Sequence, residues 1–428
     1  MNKNIIDGYK KSMFILKLKL IVALHFMIHY RSKNLREYFL LLKRLNYFIG
    51  KLEHNKFVRQ GKYTKIELYV PKFPSDAFFT SCNKFAVFGE KLPCTTVLLS
   101  VTSACRYNCA HCYQRLDKGK DIDLEKLIPI AKYLQDQGVA FFNIEGGEPF
   151  LVFDRLLALC KAVDKRSEIW VNSTGDGMTA ERLAELKKTQ LAAVMFSLHS
   201  HDPEKINAFM GYDKAWENLE NGVKLCHEAG ITVTFNTCLM KEDSSNGNFE
   251  KLMDKAKYLG GSLIQLIKPK PSGAWLESGT DVYSEEDFVL VKNKVNMYNN
   301  NKKYIEYPAI AAQIIEEDPG MFGCTSGGTD RFYINAKGDV QPCEFLNISF
   351  GNINEEKFEK IYSRMRKVYD IPGTCILCEE LSQELRNICR ENDLKTLPLD
   401  KELSKRFYDK IKNCTPTEMY RKVEKEMI

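Results

Sequence analysis

Residues 105–112 read Cys-Arg-Tyr-Asn-Cys-Ala-His-Cys, so Cys105, Cys109 and Cys112 bring three thiols into one short segment. Thiolates at this density are soft ligands suited to iron or zinc. A cubane of four irons is most often held by four cysteines. Three close ligands with no fourth leave one iron open, and an open coordination position is where a metal meets a substrate or cofactor directly. Further along, Gly146-Gly147-Glu148-Pro149 combines two residues that let backbone approach a ligand with a carboxylate able to accept hydrogen bonds from an ammonium group. A structural zinc knuckle is the competing reading of the three cysteines.

The CxxxCxxC spacing, with the Gly-Gly-Glu-Pro turn after it, resembles the signature of the radical S-adenosylmethionine (SAM) superfamily. The resemblance implies a catalytic [4Fe–4S] cluster on Cys105, Cys109 and Cys112. It also implies SAM chelated to the open iron by its amino and carboxylate groups, and reductive cleavage to a 5′-deoxyadenosyl radical. Gly146, Gly147, Glu148 and Pro149 match the element that holds the methionine amino group. Ser173-Thr174-Gly175 is similar to a Thr-Asn-Gly element, which marks Thr174 as a cofactor contact. Phe196-Ser197-Leu198-His199 is similar to a Ser-Leu-Asp element, with His199 in place of the aspartate. Ser197 and Asn236 then complete the contacts to SAM. His111 stands where relatives often carry an aromatic, with Tyr113 nearby. Each of these polar residues also has the simpler reading of satisfying a strand end.

Cys324, Cys343, Cys375 and Cys378 form a second constellation, with Gly338 in a Gly-x4-Cys arrangement before Cys343 and a CxxC at 375–378. This resembles the auxiliary cluster-binding extension of SPASM and twitch radical SAM enzymes. A full SPASM run continues with two more cysteines, where this chain has Glu384 and Ile388, and Cys389 is one residue out of register. The resemblance therefore implies a shortened module with an auxiliary [4Fe–4S] cluster on those four cysteines. Cys389 or Cys414 is a substitute ligand or part of a second cluster. A structural zinc site is again the alternative. Cys82, Cys94, Cys160 and Cys226 read as buried thiols, and Cys238, ending a strand, as a hydrogen donor of low priority.

The elements that must carry these residues follow from hydrophobic periodicity. Strands are predicted over Thr96–Val101, Ala140–Ile144, Glu168–Asn172, Ala192–Leu198, Thr232–Thr237 and Leu263–Ile267. Helices are predicted between them, near 123–137, 153–165, 179–189, 213–229 and 248–259. Six strands alternating with helices imply parallel pairing and right-handed crossovers. The expected α/β fold is a partial (β/α)6 TIM-like barrel over 96–315, with chemistry on loops at the strands' C-terminal ends. An N-terminal helical arm and small adaptor fill 1–95, with alternating Ile66, Leu68 and Val70 read as a β element. A small C-terminal α+β cluster-binding domain fills 316–428. It opens on a hairpin at Phe332–Asn335 and Asp339–Gln341 and continues as helices near 355–368, 379–390 and 400–427.

The chain has 428 residues, 44% hydrophobic and 28% charged, which is globular rather than disordered. Its net charge of +6 is unevenly spread: residues 1–60 hold thirteen Lys/Arg against three Asp/Glu. The excess suits an anionic membrane surface or another polyanion, and no nucleic-acid module accompanies it. The apolar stretch Met13–Ile28 is broken by Lys17, Lys19 and His25 and lacks a cleavage site, so no secretory signal is expected. Two readings stand for the arm: a helix in the membrane interface, or a hairpin packed on the body. Clustered cysteines suit a reducing cytoplasm, with the inner face of the membrane as the surface the arm would touch.

The expected activity is SAM cleavage and hydrogen abstraction from a peptide, lipid or small molecule. Electrons would come from a donor such as ferredoxin or flavodoxin, and the auxiliary cluster would exchange an electron with the substrate radical. A basic apolar arm leans toward a lipid-like substrate or a membrane-held partner. An iron–sulfur electron-transfer or sensor protein without SAM chemistry, and a zinc-stabilised binding protein, are the alternatives from other classes.

Overall fold

A computed structural model describes residues 5–30, 34–279 and 283–427. Residues 1–4 and 31–33 of the arm lie outside them. The arm begins with β1 (Ile5–Ile6), α1 (Gly8–His29) and α2 (Leu35–Lys51), followed by β2 (Phe57–Gln60), β3 (Tyr63–Lys65) and α3 (Asp76–Cys82). The strands β1, β2 and β3 form a small antiparallel sheet. α1 and α2 share a core with the adaptor. Leu18, Val22 and Phe26 of α1 and Leu41, Leu45 and Ile49 of α2 pack with Phe57, Ile66, Phe73 and Phe78. By length and composition alone α1 could also cross a membrane.

The predicted strand over Ile66–Val70 is absent. These side chains are buried as expected, but the regular strand ends at Lys65. The buried Glu67 carboxylate accepts the backbone N–H groups of Tyr69 (2.7 Å) and Val70 (3.0 Å), so a side chain satisfies amides that a ladder would otherwise need.

The six barrel strands follow as β4 (Thr96–Ser100), β5 (Phe141–Glu145), β6 (Glu168–Ser173), β7 (Leu191–Ser197), β8 (Thr232–Cys238) and β9 (Leu263–Ile267). They pair in parallel in that order. The helices between them are α4 (Leu124–Asp136), α5 (Phe153–Ala162), α6 (Ala180–Leu186), α7 (Pro203–Met210), α8 (Ala215–Glu228) and α9 (Asn248–Tyr258). Sequence periodicity missed α7, a short helix that starts at the Asp202 cap with Pro203 in its first turn. After β9 come α10 (Trp275–Ser278), α11 (Glu285–Asn300), β10 (Ala309–Ala312) and α12 (Gln313–Glu316). β10 adds to β9 in parallel.

The C-terminal hairpin is β11 (Arg331–Ile334) and β12 (Val340–Gln341), and β11 pairs in parallel with β4. The result is one nine-stranded sheet ordered β10-β9-β8-β7-β6-β5-β4-β11-β12, an open and partial barrel. The hairpin expected to belong to a separate C-terminal domain thus extends the barrel wall. Beyond it lie α13 (Phe358–Val368), α14 (Leu377–Glu380) and α15 (Ser382–Glu391). The helix predicted over 400–427 is broken into short turns, Lys401–Ser404, Tyr408–Lys412 and Glu418–Arg421 among them. Pro416 and the backbone pairing of Thr415 and Thr417 interrupt it.

Strand alternation sorts the barrel residues. Phe142, Ile144, Val171, Val194, Phe196, Phe235 and Ile264 face the helices and are fully buried. The inward set starts apolar, with Phe141, Trp170, Ala193, Met195 and Leu263 at the strands' beginnings. Toward the strands' ends it turns polar, with Glu145, Asn172, Ser197, Asn236 and Gln265.

Candidate active site

Cys105, Cys109 and Cys112 lie on the loop after β4, as expected. Cys105 is exposed and the other two are half-buried. The loop is tied down at both ends. Asp121 accepts hydrogen bonds from Thr102 Oγ1 (2.6 Å), Ser103 N and Ser103 Oγ (both 2.9 Å). The backbone N–H of Asn108 and Ala110 bond to the carbonyls of Met210 and Phe209 at the end of α7, and Arg115 Nη2 donates to Cys109 O. Burial and the other thiols' charges push the Cys109 thiol up, and burial raises Cys105 to about 11. Three such groups become thiolates together only around a cation.

The Gly146-Gly147 turn packs directly on this loop. Gly147 N donates to Thr102 O (2.6 Å) and Glu148 N to Ala104 O (2.8 Å). A Cβ on Gly147 would sit 2.2 Å from Ala104 O, so only glycine fits. The Glu148 side chain turns away from the cavity. Its carboxylate is fully buried and accepts four hydrogen bonds: Ser173 Oγ (2.8 Å), Phe150 N (3.0 Å), Thr174 N and Thr174 Oγ1 (both 2.7 Å). Glu148 fixes the turn after β6, where Gly175 at φ +91° lies so close to Asn218 O that a Cβ would be 2.2 Å away. Pro149, like Glu148, does not line the cavity beside it.

That cavity, open to solvent, lies in the barrel at the strands' C-terminal ends. It brings together His111, Gly146, Gly147, Thr174, Ser197 and Asn236. It also collects residues that sequence reasoning missed: Tyr113, Glu145, Asn172, Lys268, Lys270, Trp275, Glu344 and Phe345. For Asn172 a signal existed, since it is polar on the inward parity of a predicted strand, and Glu145 follows directly on the end of another. For Glu344 and Phe345 there was none, because their approach depends on the β11–β4 pairing. Tyr113 OH donates to Glu145 Oε1 (2.7 Å) and Asn172 Nδ2 to Glu145 Oε2 (3.1 Å). Burial and the neighbouring Glu344 push the Glu145 carboxyl up to about 8.

Two histidines face each other at the cavity wall, His111 and His199, with ring centroids 4.4 Å apart. His111 also stacks on Phe209 at 4.7 Å. His199 Nδ1 accepts from Cys238 N at 3.0 Å. In the neutral ring the proton is then on Nε2. Nε2 of His199, Nδ1 of His111 and Oδ1 of Asn172 are buried with no partner among the described residues. Orphaned polar atoms around a roomy cavity fit a polar ligand such as SAM.

The second cysteine set gathers from three distant segments. Cys324 N bonds to Gly373 O (2.8 Å), and Thr374 N to Thr415 O (2.8 Å), which lays residues 324, 373–375 and 414–417 side by side. Cys324, Cys375 and Cys414 line one cavity of about 900 Å³. The charge of Cys378 reaches Cys343, and that of Cys324 reaches Cys378. The sulfur of Cys375 lies against that of Cys414, and each would bind iron as a thiolate. Of the two substitutes, Cys414 joins the site. Cys389 is buried on α15, where Glu277 of α10 is its charged neighbour. Three thiols and the Cys375–Cys414 pair fit an auxiliary cluster.

The auxiliary set touches the barrel cavity. Cys343 Sγ donates to Glu344 Oε2 (3.0 Å), and Glu344 and Phe345 line the cavity. Glu379, next to Cys378, pairs with Lys268 (2.6 Å) and Lys270 (2.7 Å) after β9, and Lys270 also pairs with Glu317 (2.7 Å).

Comparison with known proteins agrees with this geometry. The radical SAM superfamily model matches residues 99–256, and an iron–sulfur cluster-binding domain model (SPASM) matches 324–391. The chain is 22% identical to an AdoMet-dependent heme synthase of Nitratidesulfovibrio vulgaris, over 67% of this chain and 85% of that protein. It is 24% identical to a probable GTP 3′,8-cyclase of Archaeoglobus fulgidus, over 64% of this chain and 94% of that protein. Streptococcus suis SuiB bound to its precursor peptide SuiA shares the fold, with a TM-score of 0.52 at 17% identity, over 64% of this chain and 65% of that one. SuiB bound to S-adenosylmethionine aligns with a TM-score of 0.50 at 16% identity, over 63% of each chain. With one cysteine trio inside the first matched segment and the second set opening the other, the chain is a radical SAM superfamily enzyme carrying a C-terminal iron–sulfur cluster-binding domain.

Proposed function

We propose that this enzyme binds SAM between the cluster loop and the ends of β5, β6, β7 and β8, and acts on a peptide that enters the remaining cavity. A [4Fe–4S] cluster on Cys105, Cys109 and Cys112 supplies, with SAM and an electron, the radical that abstracts hydrogen. The chain's own residues do the rest. The backbone at Gly146 and Gly147 lies against the cluster loop and takes the amino end of SAM. Thr174, held by Glu148, with Ser197 and Asn236, faces its polar groups. His199 Nε2–H donates to whichever acceptor occupies the space beside it.

The observation that carries this reading is the single cavity that joins the SAM-facing residues to Glu344 and Phe345 of the auxiliary segment. The cavity is open to solvent, so a second reactant can approach beside the nucleoside. A peptide is favoured because SuiB, which shares the fold, was solved with its precursor peptide. The auxiliary cysteines, one residue from the cavity wall at Cys343, support electron exchange with the substrate radical. Exposed Arg106 next to Cys105, and exposed Lys118 whose charge reaches Cys112, suit an acidic donor such as ferredoxin or flavodoxin. Residues 1–60, with their excess of Lys/Arg, meet an anionic membrane surface.

Anaerobic reconstitution with iron and sulfide, then SAM and dithionite, tests the reaction: mass spectrometry should find 5′-deoxyadenosine. Peptide libraries made with perdeuterated residues test the substrate class. Deuterium should appear in 5′-deoxyadenosine for some peptides, and its absence from all of them while deuterated small molecules transfer it would overturn the peptide reading.

A further inference from the structure

The two faces of α1 are both apolar, and only one is covered. Leu18, Val22 and Phe26 are buried against α2 and the adaptor. On the other side Tyr9 (78% exposed), Met13, Leu16 (70%), Leu20, Leu24 and Met27 stand in solvent. At 3.6 residues per turn these six fall within about 80° of arc and run for about 27 Å along the helix. Leu35 and Phe39 of α2 are also exposed, at 72% and 65%. An apolar stripe of this length on an otherwise well-buried chain marks a contact with something else. The rim identifies the partner: Lys10 and Lys17 flank the stripe and Lys43 is exposed on α2. Apolar side chains bordered by lysines match the acyl boundary and anionic headgroups of a bilayer.

We propose that α1 lies in the plane of an anionic membrane, with Tyr9, Met13, Leu16, Leu20, Leu24 and Met27 inserted between headgroups and its opposite face still bound to the protein. The inference rests on the membrane reading of residues 1–60 and adds which side chains enter, and how the enzyme is turned. A spanning α1 would have to strip Leu18, Val22 and Phe26 from the shared core.

The orientation has a consequence for the substrate. Phe14 of α1 packs edge-on against Phe57 and Phe73, at 5.8 Å each. Phe57 belongs to β2, whose next residue, Val58, packs with Leu68 on Phe141, Trp170 and Leu263 at the beginnings of the barrel strands. The arm therefore sits at the closed end of the barrel, and the reaction cavity opens at the other. An enzyme docked by α1 holds that cavity toward the aqueous phase, so its substrate arrives from water rather than from within the bilayer.

Flotation of the full-length protein with phosphatidylcholine vesicles, with and without 30% phosphatidylserine, tests this. The variants are Leu16→Glu/Leu20→Glu/Leu24→Glu, in which every changed residue is solvent-exposed, and Lys10→Glu/Lys17→Glu. Thermal melting of each variant checks the fold. Wild type should float with the anionic vesicles and be released by alkaline carbonate. The leucine variant should lose at least tenfold of the bound fraction at an unchanged melting temperature, and the lysine variant should bind less and with greater salt sensitivity. Wild type that stays with the soluble fraction on anionic vesicles overturns the membrane reading of the arm altogether. Wild type that floats together with an equally buoyant leucine variant overturns only the stripe. Resistance to carbonate means a spanning helix and overturns the in-plane orientation. Dimers in the absence of lipid that the leucine variant abolishes assign the stripe to a second copy and overturn the proposal.

Discussion

The two ends of the barrel are built from the same strands and behave as opposites. At the strands' beginnings the inward side chains are apolar, and the adaptor plugs them. There Lys65 and Glu168 form a buried ion pair at 2.7 Å, each side chain no more than 2% exposed. Glu168 also accepts from Trp170 Nε1 (2.7 Å) and Lys72 N (2.8 Å), and Lys65 Nζ lies over the Trp170 ring at 4.5 Å. The charged pair and the groups around it thus satisfy one another inside the protein. At the strands' other ends the inward side chains are polar, and several atoms have no partner among the described residues: His199 Nε2, His111 Nδ1, Asn172 Oδ1. The difference teaches where to look for function. A saturated buried polar network holds structure together, whereas an unsaturated one beside a cavity is shaped for a ligand.

The comparison breaks most sharply under Cys105→Ala. Removing one of three ligands at the open end should abolish 5′-deoxyadenosine formation and the iron bound by that loop, and leave the melting temperature of the metal-free chain unchanged.

Lys65→Met at the closed end should do the reverse. It strands the Glu168 carboxylate in the core, for a loss of about 3–5 kcal/mol, seen as a lower melting temperature, with turnover per folded, iron-loaded molecule retained. A Lys65→Met protein that melts like wild type would show that the plug is not structural.

Gly147→Ala probes the contact between turn and cluster loop. Its Cβ meets the backbone of Ala104, and overpacking of this kind costs about 1–3 kcal/mol. Iron retention and turnover should both fall, though less than in Cys105→Ala.

Glu145→Gln should have the smallest effect, and a pH signature. The wild-type carboxyl is held up to about 8 by burial and by Glu344. Between the unfolded value near 4.3 and about 8, the folded chain keeps a proton that the unfolded chain releases. Stability contributed by this group is therefore full at low pH and declines as pH rises through that window. Denaturation followed from pH 5 to pH 8.5 should show a shallower decline in the glutamine variant, with equal slopes counting against the assignment.

Much of this site was legible before any fold was known, and the misses have physical causes. The cysteine trio and the glycine turn are local, so spacing alone reveals them. The type of Glu148 suggests an ammonium ligand, while only the fold shows that Ser173 and Thr174 bond to its carboxylate. Strand boundaries came within a residue or two because buried β-branched and aromatic runs mark them. The alternation at Ile66–Val70 misled because burial on one face does not require a ladder once Glu67 caps the amides. Cys389 and Cys414 were equivalent in sequence, and only the packing of residues 373–375 on 414–417 separates them.

What the amino-acid sequence determined by itself was the local chemistry: three thiols on one loop, a turn only glycine can make, and strands that alternate with helices. Each depends on residues close together in the chain, so spacing and periodicity suffice. The tertiary structure decided what those local pieces face. It closed one barrel end with the adaptor, brought Glu344 and Phe345 to the cavity through β11 and β4, and set Cys375 beside Cys414. It also left one side of α1 bare. These depend on contacts between residues tens to hundreds of positions apart, which burial and backbone pairing select and no short stretch of sequence encodes.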